Sequence, residues 1–405
     1  MQNTRSERSV LLLVAAVQFV NILDFMMVMP LGPDFARALG IPTSSLGVIG
    51  GSYTAAAAVS GLVGAFVLDK FDRRKALGVA MLGLVIGTAC GGLATGLPSL
   101  IAARVVAGAF GGPATAIAVS IVSDVVPAER RGRAMGIVMG AFSVASVFGV
   151  PAGLELARLG GWRAPFFAVA AIGLVVAMGA VALLPPVRGH LDRAASGHAP
   201  HASILSTAQQ PSSLLALLMV ATAMAASFSL IPNFSSYFQF NGGYPRDGLG
   251  MLYLVAGAVS FVAMQVTGRM VDRFGATAVS AVGTAGFVIV VGAGCATGTP
   301  HLPALAFFVG FMLSQALRNV AMNTVSTMVA RPHERAAYQS LQSSAQHIAS
   351  AGGAILSSRL LIERADHSLG GMERVAAFAL SLSLTLPILV FAVSRQLRGR
   401  DRAPA

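Results

Sequence analysis

Apolar stretches of about 20 residues recur along the chain, and almost all of its charge falls in short clusters between them. A run of that length spans the ~30 Å hydrocarbon core of a bilayer as a helix, and a helix satisfies its own backbone hydrogen bonds there. The pattern therefore requires an all-α membrane protein, and it predicts twelve transmembrane helices. They centre near Phe19, Ala57, Leu84, Ala109, Val144, Leu174, Met224, Ala258, Phe287, Leu317, Ile348 and Leu384. Composition agrees: charged residues make up 11% of the 405, against roughly 25% in a soluble domain. Cys90 and Cys295 are too few to build a disulfide scaffold, and both are expected to be packing residues with no pairing between them.

The net charge of +12 is explained by its distribution. With both termini placed in the cytoplasm, 19 Lys and Arg residues lie on the cytoplasmic side, 7 outside and 2 within helices, and the acids divide as 9, 6 and 1. That bias obeys the positive-inside rule, so the basic balance fixes orientation and does not call for nucleic acid as a partner. A cleaved leader is not expected, because Asp24 interrupts the first apolar run. The longest polar stretch, residues 186–212, reads as a cytoplasmic linker between an N-terminal bundle of residues 1–185 and a C-terminal bundle of 213–405. Its histidines, His190, His198 and His201, lack regular ligand spacing, so no metal site is expected there.

The two bundles repeat one plan. Leu68-Asp69-Lys70-Phe71-Asp72 after the second span returns 203 positions later as Val271-Asp272-Arg273-Phe274-Gly275 after the eighth. Ala128-Glu129-Arg130-Arg131 after the fourth span is matched by Pro332-His333-Glu334-Arg335 after the tenth. A constant offset implies two pseudo-symmetric six-helix bundles related by an axis along the membrane normal. The stretch Gly64 to Lys75, its repeat Gly268 to Gly275, and Arg104-Val105-Val106-Ala107-Gly108 resemble cytoplasmic and fourth-helix signatures of the major facilitator superfamily. Gly149-Val150-Pro151-Ala152-Gly153 resembles the fifth-helix signature of its proton-driven exporters, with Val150 splitting a usual Gly-Pro pair. Ala65 and Asp72 also depart from the pattern, each standing where a glycine is usual. The resemblance implies the twelve-helix major facilitator fold, and it is nearest to bacterial drug and sugar efflux permeases. It implies a multi-pass transporter of the inner membrane, monomeric and without cofactor, whose partners are protons, a small-molecule substrate and the lipid bilayer.

Asp24 carries the most information, because a carboxylate inside an apolar helix costs several kcal/mol unless it is protonated, paired or hydrated. Burial favours its neutral form and an approaching cation or water favours the ionised one, so it can bind a proton on one side and release it on the other. With the first helix ending about 8 residues beyond Asp24 and the fourth beginning near Pro98, Asp24 lies about 12 Å and Arg104 about 9 Å from the outer ends of their helices. The resemblance implies that the first and fourth helices both line the cavity, so at similar depth the two are expected to be partners, with Asp24 as the proton-binding group and Arg104 as the residue that tunes it. The seventh helix has Ala226, Ser227 and Phe228 where an equivalent acid would stand, so coupling chemistry is expected in the first half only.

The second half offers neutral polar stripes: Gln315, Asn319 and Asn323 on the tenth helix, and Gln339, Gln342, Gln346 and Ser350 on the eleventh. Such stripes either line a wet path or bond helices together. Arg318 lies beside them and must be paired or hydrated, and His347 is a second group able to handle protons or to serve as a hydrogen bonder. Phe25, Tyr53, Phe142, Phe234 and Tyr237 are candidates for the apolar walls of a substrate cavity completed by Gln315, Arg318, Asn319, Gln342 and Gln346. The resemblance assigns gating to Asp69, Arg73, Arg74, Asp272 and Arg273, as charges that clamp the halves on the cytoplasmic side. It assigns a leak-sealing fifth-helix region to Gly149, Pro151 and Gly153. No nucleotide-binding loop, metal-ligand motif or nucleophile elbow is present, so no enzymatic activity is expected. Secondary active export against protons is the leading expectation, with proton-coupled uptake of a sugar or organic acid and a non-transporting membrane sensor as alternatives.

Overall fold

The computed structural model describes residues 2–67, 71–127, 130–184, 204–330 and 335–402. The Asp69 segment, the Ala128-Glu129 and Pro332 to Glu334 motifs, and most of the 186–212 linker with its histidines lie outside them. The principal helices are α1 (Gln2–Met27), α2 (Gly32–Leu39), α3 (Leu46–Val67), α4 (Arg73–Gly92), α5 (Leu97–Val125), α6 (Arg131–Val144), α7 (Val150–Gly160) and α8 (Ala164–Leu183). They continue as α9 (Pro211–Leu230), α10 (Leu249–Phe274), α11 (Ala276–Cys295), α12 (Ala304–Thr327), α13 (Arg335–Leu360) and α14 (Met372–Arg402).

Each of the twelve predicted centres falls in a long helix. Eleven spans among the described residues are long and apolar enough to cross a membrane, α6 and α7 forming one of them through the turn between them. The remaining helix, α13, has the length but carries Gln339, Gln342, Gln346 and several serines on one face. Apolar side chains such as Val175, Met178, Ile289 and Ile388 are more than half exposed, as expected of helices whose outer surface meets lipid.

Local chemistry sets the helix ends. Prolines open α5, α8 and α9 within the first two positions, where a missing backbone N–H costs nothing. Gly275 divides α10 from α11 at φ +83°, a left-handed geometry that side chains other than glycine resist. The first span ends earlier than the sequence suggests. α1 stops at Met27, three residues beyond Asp24, because Pro30 disfavours helix at the residue before it; a separate short helix, α2, follows. Asp24 thus lies in the last turn of α1, where unpaired carbonyls make a negative charge unfavourable.

The chain forms two compact units. The first comprises Met1–Ile41 and Ser52–Pro200. In it α4 packs between α5 and α8, while α1 packs on α5, α6 and α8. The second comprises Pro42–Gly51 and His201–Ala405. There α9 packs on α13 and α14, and α12 on α10 and α11. Its interior includes an aromatic cluster of Phe234, Phe238, Phe307, Phe308 and Phe311. A two-stranded antiparallel hairpin pairs Ile362–Glu363 with Leu369–Gly370. Asn241 pins it, accepting from the Leu369 N–H at 2.8 Å and donating to the Leu369 carbonyl at 2.9 Å.

Candidate functional site

One face of α1 presents Gln18, Asn21 and Asp24, three residues apart and all buried. Facing it, α5 brings up Arg104, Gly108, Gly111 and Thr115 at helical spacing. Asp24 and Arg104 are 0% and 1% exposed, and they meet in a bidentate pair: Nη1 donates to Oδ1 and Nη2 to Oδ2, both at 3.0 Å. Fork-to-fork geometry of this kind is the strongest ordinary charged hydrogen bond. The guanidinium offsets the unfavourable field at the end of α1, which is why an acid is tolerated there.

Two further groups complete the pair. Thr88 on α4 donates from Oγ1 to Asp24 Oδ1 at 2.7 Å, and the same hydroxyl lies 2.8 Å from the Leu84 carbonyl. Tyr53 on α3 places its ring 4.6 Å from Arg104 Cζ, a cation–π contact inside the unit. Tyr53 itself is held by its hydroxyl, which donates to Asn21 Oδ1 at 2.5 Å. Asn21 in turn donates to the Gly111 carbonyl at 2.9 Å and to Thr115 Oγ1. Phe25 packs on the same Tyr53 ring at 5.2 Å. Thr88 and Asn21 are absent from the sequence expectation. Asn21 was detectable from its spacing of three before Asp24, whereas a threonine in an apolar helix gives no such signal because it often bonds its own preceding turn.

The second unit buries a cation differently. Arg318 is 1% exposed and donates through Nη1 to Gln315 Oε1 at 2.8 Å and through Nη2 to Ser383 Oγ at 3.1 Å. Its Cζ lies 4.2 Å from the centre of the Phe287 ring. Gln315 passes the contact on, donating to Ser227 Oγ at 2.7 Å. Ser227 stands 203 positions after Asp24, the same offset as the repeated motifs. All of Arg318's hydrogen-bond partners among the described residues are neutral.

The other expected site residues are placed separately. Phe234 and Tyr237 are fully buried, Phe234 in the aromatic cluster and Tyr237 with its hydroxyl donating to the Gly294 carbonyl at 3.2 Å. Phe142 is exposed on α6, while Asn319 and Gln346 are half-buried. Gln342 lines a partly open cavity of ≈ 410 Å³ with Thr327, Met328, Ala330, Tyr338 and Gln339. Its Oε1 accepts from Ser326 at 3.0 Å. His347 places Nδ1 2.8 Å from the Ser343 carbonyl.

Of the charges assigned to gating, Arg73 donates from Nε to Asp124 Oδ2 at 2.6 Å. Asp72 caps α4 by accepting from the Arg74 N–H at 3.0 Å. Asp272 and Arg273 are exposed at the end of α10. Between α6 and α7 the backbone widens to a π-helical turn at Ala145–Gly149, just before Pro151, and the Val150 N–H reaches the Ala145 carbonyl. Such a turn relieves the clash of a proline ring with the turn before it. Gly149 lies against α1: a Cβ there would come within 2.8 Å of Leu23 Cδ1, beside Asp24. Gly153 is looser, with Met27 and Pro165 no closer than 3.8 Å to a Cβ at that position. No cluster suited to a metal ion occurs among the described residues.

A family model described as Major Facilitator Superfamily matches residues 14–354. A chloramphenicol resistance protein of Streptomyces lividans is 31% identical over 262 residues, covering 65% of this chain and 66% of that relative. The purine ribonucleoside efflux pump NepI of Escherichia coli O6:K15:H31 is 26% identical over 268 residues, covering 65% of this chain and 64% of the pump. The matches therefore span just under two thirds of either relative. Among solved structures, a bacterial homolog of the human lysosomal transporter Spinster, inward-facing and unoccupied, aligns over 99% of both chains with a TM-score of 0.78 at 17% identity. A D-xylose–proton symporter aligns over 93% of this chain and 96% of its own, with a TM-score of 0.74 at 15% identity. At these identities the structural likeness establishes the fold.

Proposed function

Since this chain belongs to the Major Facilitator Superfamily, and is accordingly a multi-pass membrane transporter and not an enzyme, we propose that it exports a small molecule from the cytoplasm in exchange for protons. The observation that carries the reading is the Asp24–Arg104 pair, a titratable acid at 0% exposure held by one bidentate guanidinium. An ionised pair is neutral, whereas protonating Asp24 leaves the unit with a net positive charge. Such a change in a low-dielectric interior alters which arrangement of the helices is favoured, and that is how a proton can drive alternating access.

The charge asymmetry of the loops supports an inner-membrane protein with both termini in the cytoplasm, and the repeat supports two six-helix bundles joined by the 186–212 linker. Two relatives named for chloramphenicol resistance and purine ribonucleoside efflux make chloramphenicol and a purine ribonucleoside the first compounds to try. Gln342, Asn319 and Gln346 are neutral hydrogen-bonding groups suited to molecules of that uncharged, polar-and-aromatic kind. Within the second unit, these three are the residues proposed to contact substrate.

Everted membrane vesicles acidified inside by respiration test the reading. Adding a transported compound to vesicles that contain the protein should dissipate part of the acid gradient while the compound accumulates. Vesicles with Asp24→Asn should do neither. Compound leaving the acidified lumen would indicate coupled uptake in the cell, and gradient-driven accumulation by the Asp24→Asn protein would overturn the assignment of the proton site.

A further inference from the structure

A proton-carrying carboxylate faces a problem on each cycle: the oxygen that takes the proton becomes a donor, so the groups that donated to it must find another acceptor. In a dry interior, a donor left without a partner is costly. Here both donors to Asp24 already touch a second acceptor. The Thr88 hydroxyl has one proton and two oxygens within reach, Asp24 Oδ1 at 2.7 Å and the Leu84 carbonyl at 2.8 Å, and it can serve only one at a time. The Arg104 guanidinium bonds Asp24 at its edge while its Cζ lies 4.6 Å from the Tyr53 ring centre.

We propose that Thr88 and Tyr53 are positioning residues for proton exchange at Asp24, each holding one of the acid's two donors when the acid is neutral. This rests on the reading of Asp24 as the proton site. With Asp24 ionised, Thr88 donates to Oδ1 and Arg104 to both carboxylate oxygens. When a proton from water binds Asp24, the new carboxyl O–H donates to Thr88 Oγ1, and the Thr88 proton turns to the Leu84 carbonyl. Arg104, released from a charged partner, keeps the Tyr53 ring. The proton is delivered by hydronium, whose O–H breaks to leave water as the carboxyl O–H forms, and no other covalent bond changes. Tyr53 can hold this place because its hydroxyl is tied to Asn21, which is itself bonded to Gly111 and Thr115 on α5.

The two residues then favour opposite states. Thr88 gives its stronger hydrogen bond to the ionised acid, since charged acceptors bind a donor more tightly. Tyr53 supports the neutral acid, because its ring is the partner Arg104 keeps once the carboxylate no longer carries a charge. Among the described residues of the first unit, Arg73 pairs with Asp124 and Arg158 with Glu155.

Infrared pH titration of the purified full-length protein in lipid nanodiscs tests this without a known substrate. The protonated-carboxyl band of Asp24 is identified by its loss in Asp24→Asn. In Thr88→Val the midpoint of that band should move about 1 pH unit higher, the worth of one hydrogen bond to a charged group. In Tyr53→Leu it should move about half a unit lower, as expected for the loss of one cation–π contact. Thr88→Ser keeps the hydroxyl and should restore the native midpoint, while Tyr53→Phe keeps the ring but loses its tie to Asn21, so its midpoint should lie between those of the native protein and Tyr53→Leu; Thr88→Ala replaces the valine variant if that fails to fold. Shifts in one direction for both variants, no shift in either, or a Thr88→Ser shift equal to that of valine would overturn the proposal. A titrating band that survives Asp24→Asn unchanged would instead refute Asp24 as the proton site.

Discussion

Arg104 and Arg318 are buried in the first and second units, each 1% exposed and each set against an aromatic ring, Tyr53 at 4.6 Å and Phe287 at 4.2 Å. What completes them differs. Arg104 has the carboxylate of Asp24, while Arg318 has Gln315 and Ser383. The repeat makes the difference specific: Ser227 occupies the position 203 residues after Asp24, and it too is connected to the arginine, but through the amide of Gln315. A pair containing an acid can change its charge by one proton, whereas a guanidinium bonded to amide and hydroxyl oxygens keeps the same charge at any physiological pH. On the proposed reading, one half carries a switch and the other a fixed charge. Proton coupling needs only one switch.

The largest effect should follow from breaking the first pair on its basic side. Arg104→Gln strands a buried carboxylate, so thermal stability should fall by about 3–5 kcal/mol at high pH. It should recover as the pH is lowered and Asp24 takes up a proton. Melting curves across pH would show this, and an equal loss at every pH would contradict it. Arg318→Met gives the opposite test. No acid is left behind, so stability should change by no more than about 1–2 kcal/mol in either direction with no dependence on pH. A pH-dependent loss there would mean that the second half also contains a titrating group. Least severe is Gly149→Ala, which forces Leu23 to move by a fraction of an ångström and should cost about 1 kcal/mol. Because Leu23 adjoins Asp24, the same variant should slow gradient-driven transport more than it lowers the melting temperature.

The fold was readable because membrane helices are written in blocks: about twenty apolar residues, then charge. Even α13, whose Gln339, Gln342 and Gln346 make it the most polar of the twelve, stands as a run between two charge clusters. The candidate site was partly readable, since an Asp and an Arg in apolar helices stand out without any structure. Depth, with the resemblance that places both helices at the cavity, points to their meeting, but Asp24 lies nearer its helix end than the sequence suggests, because Pro30 ends α1 at Met27 and places Asp24 in its last turn. Thr88 was not readable at all: nothing in the sequence distinguishes a threonine that bonds only its own helix from one that also bonds an acid 64 positions away. Nor was the role of Tyr53 apparent, for an aromatic ring in a membrane helix packs against lipid, ligand or cation with no change in pattern. Arg318 stood out as strongly as Arg104, and only the identity of its partners separates a fixed charge from a switch.

Coupling can be separated from translocation by one comparison in proteoliposomes, using whichever of chloramphenicol or a purine ribonucleoside the wild-type protein moves. Wild-type protein should accumulate the compound under an imposed pH gradient and also exchange labelled for unlabelled compound in the absence of a gradient. Asp24→Asn should lose the gradient-driven accumulation by about 100-fold or more, as expected when the proposed proton site is fixed in its neutral form, and should retain the exchange. Full gradient-driven accumulation by the Asp24→Asn protein would contradict the account.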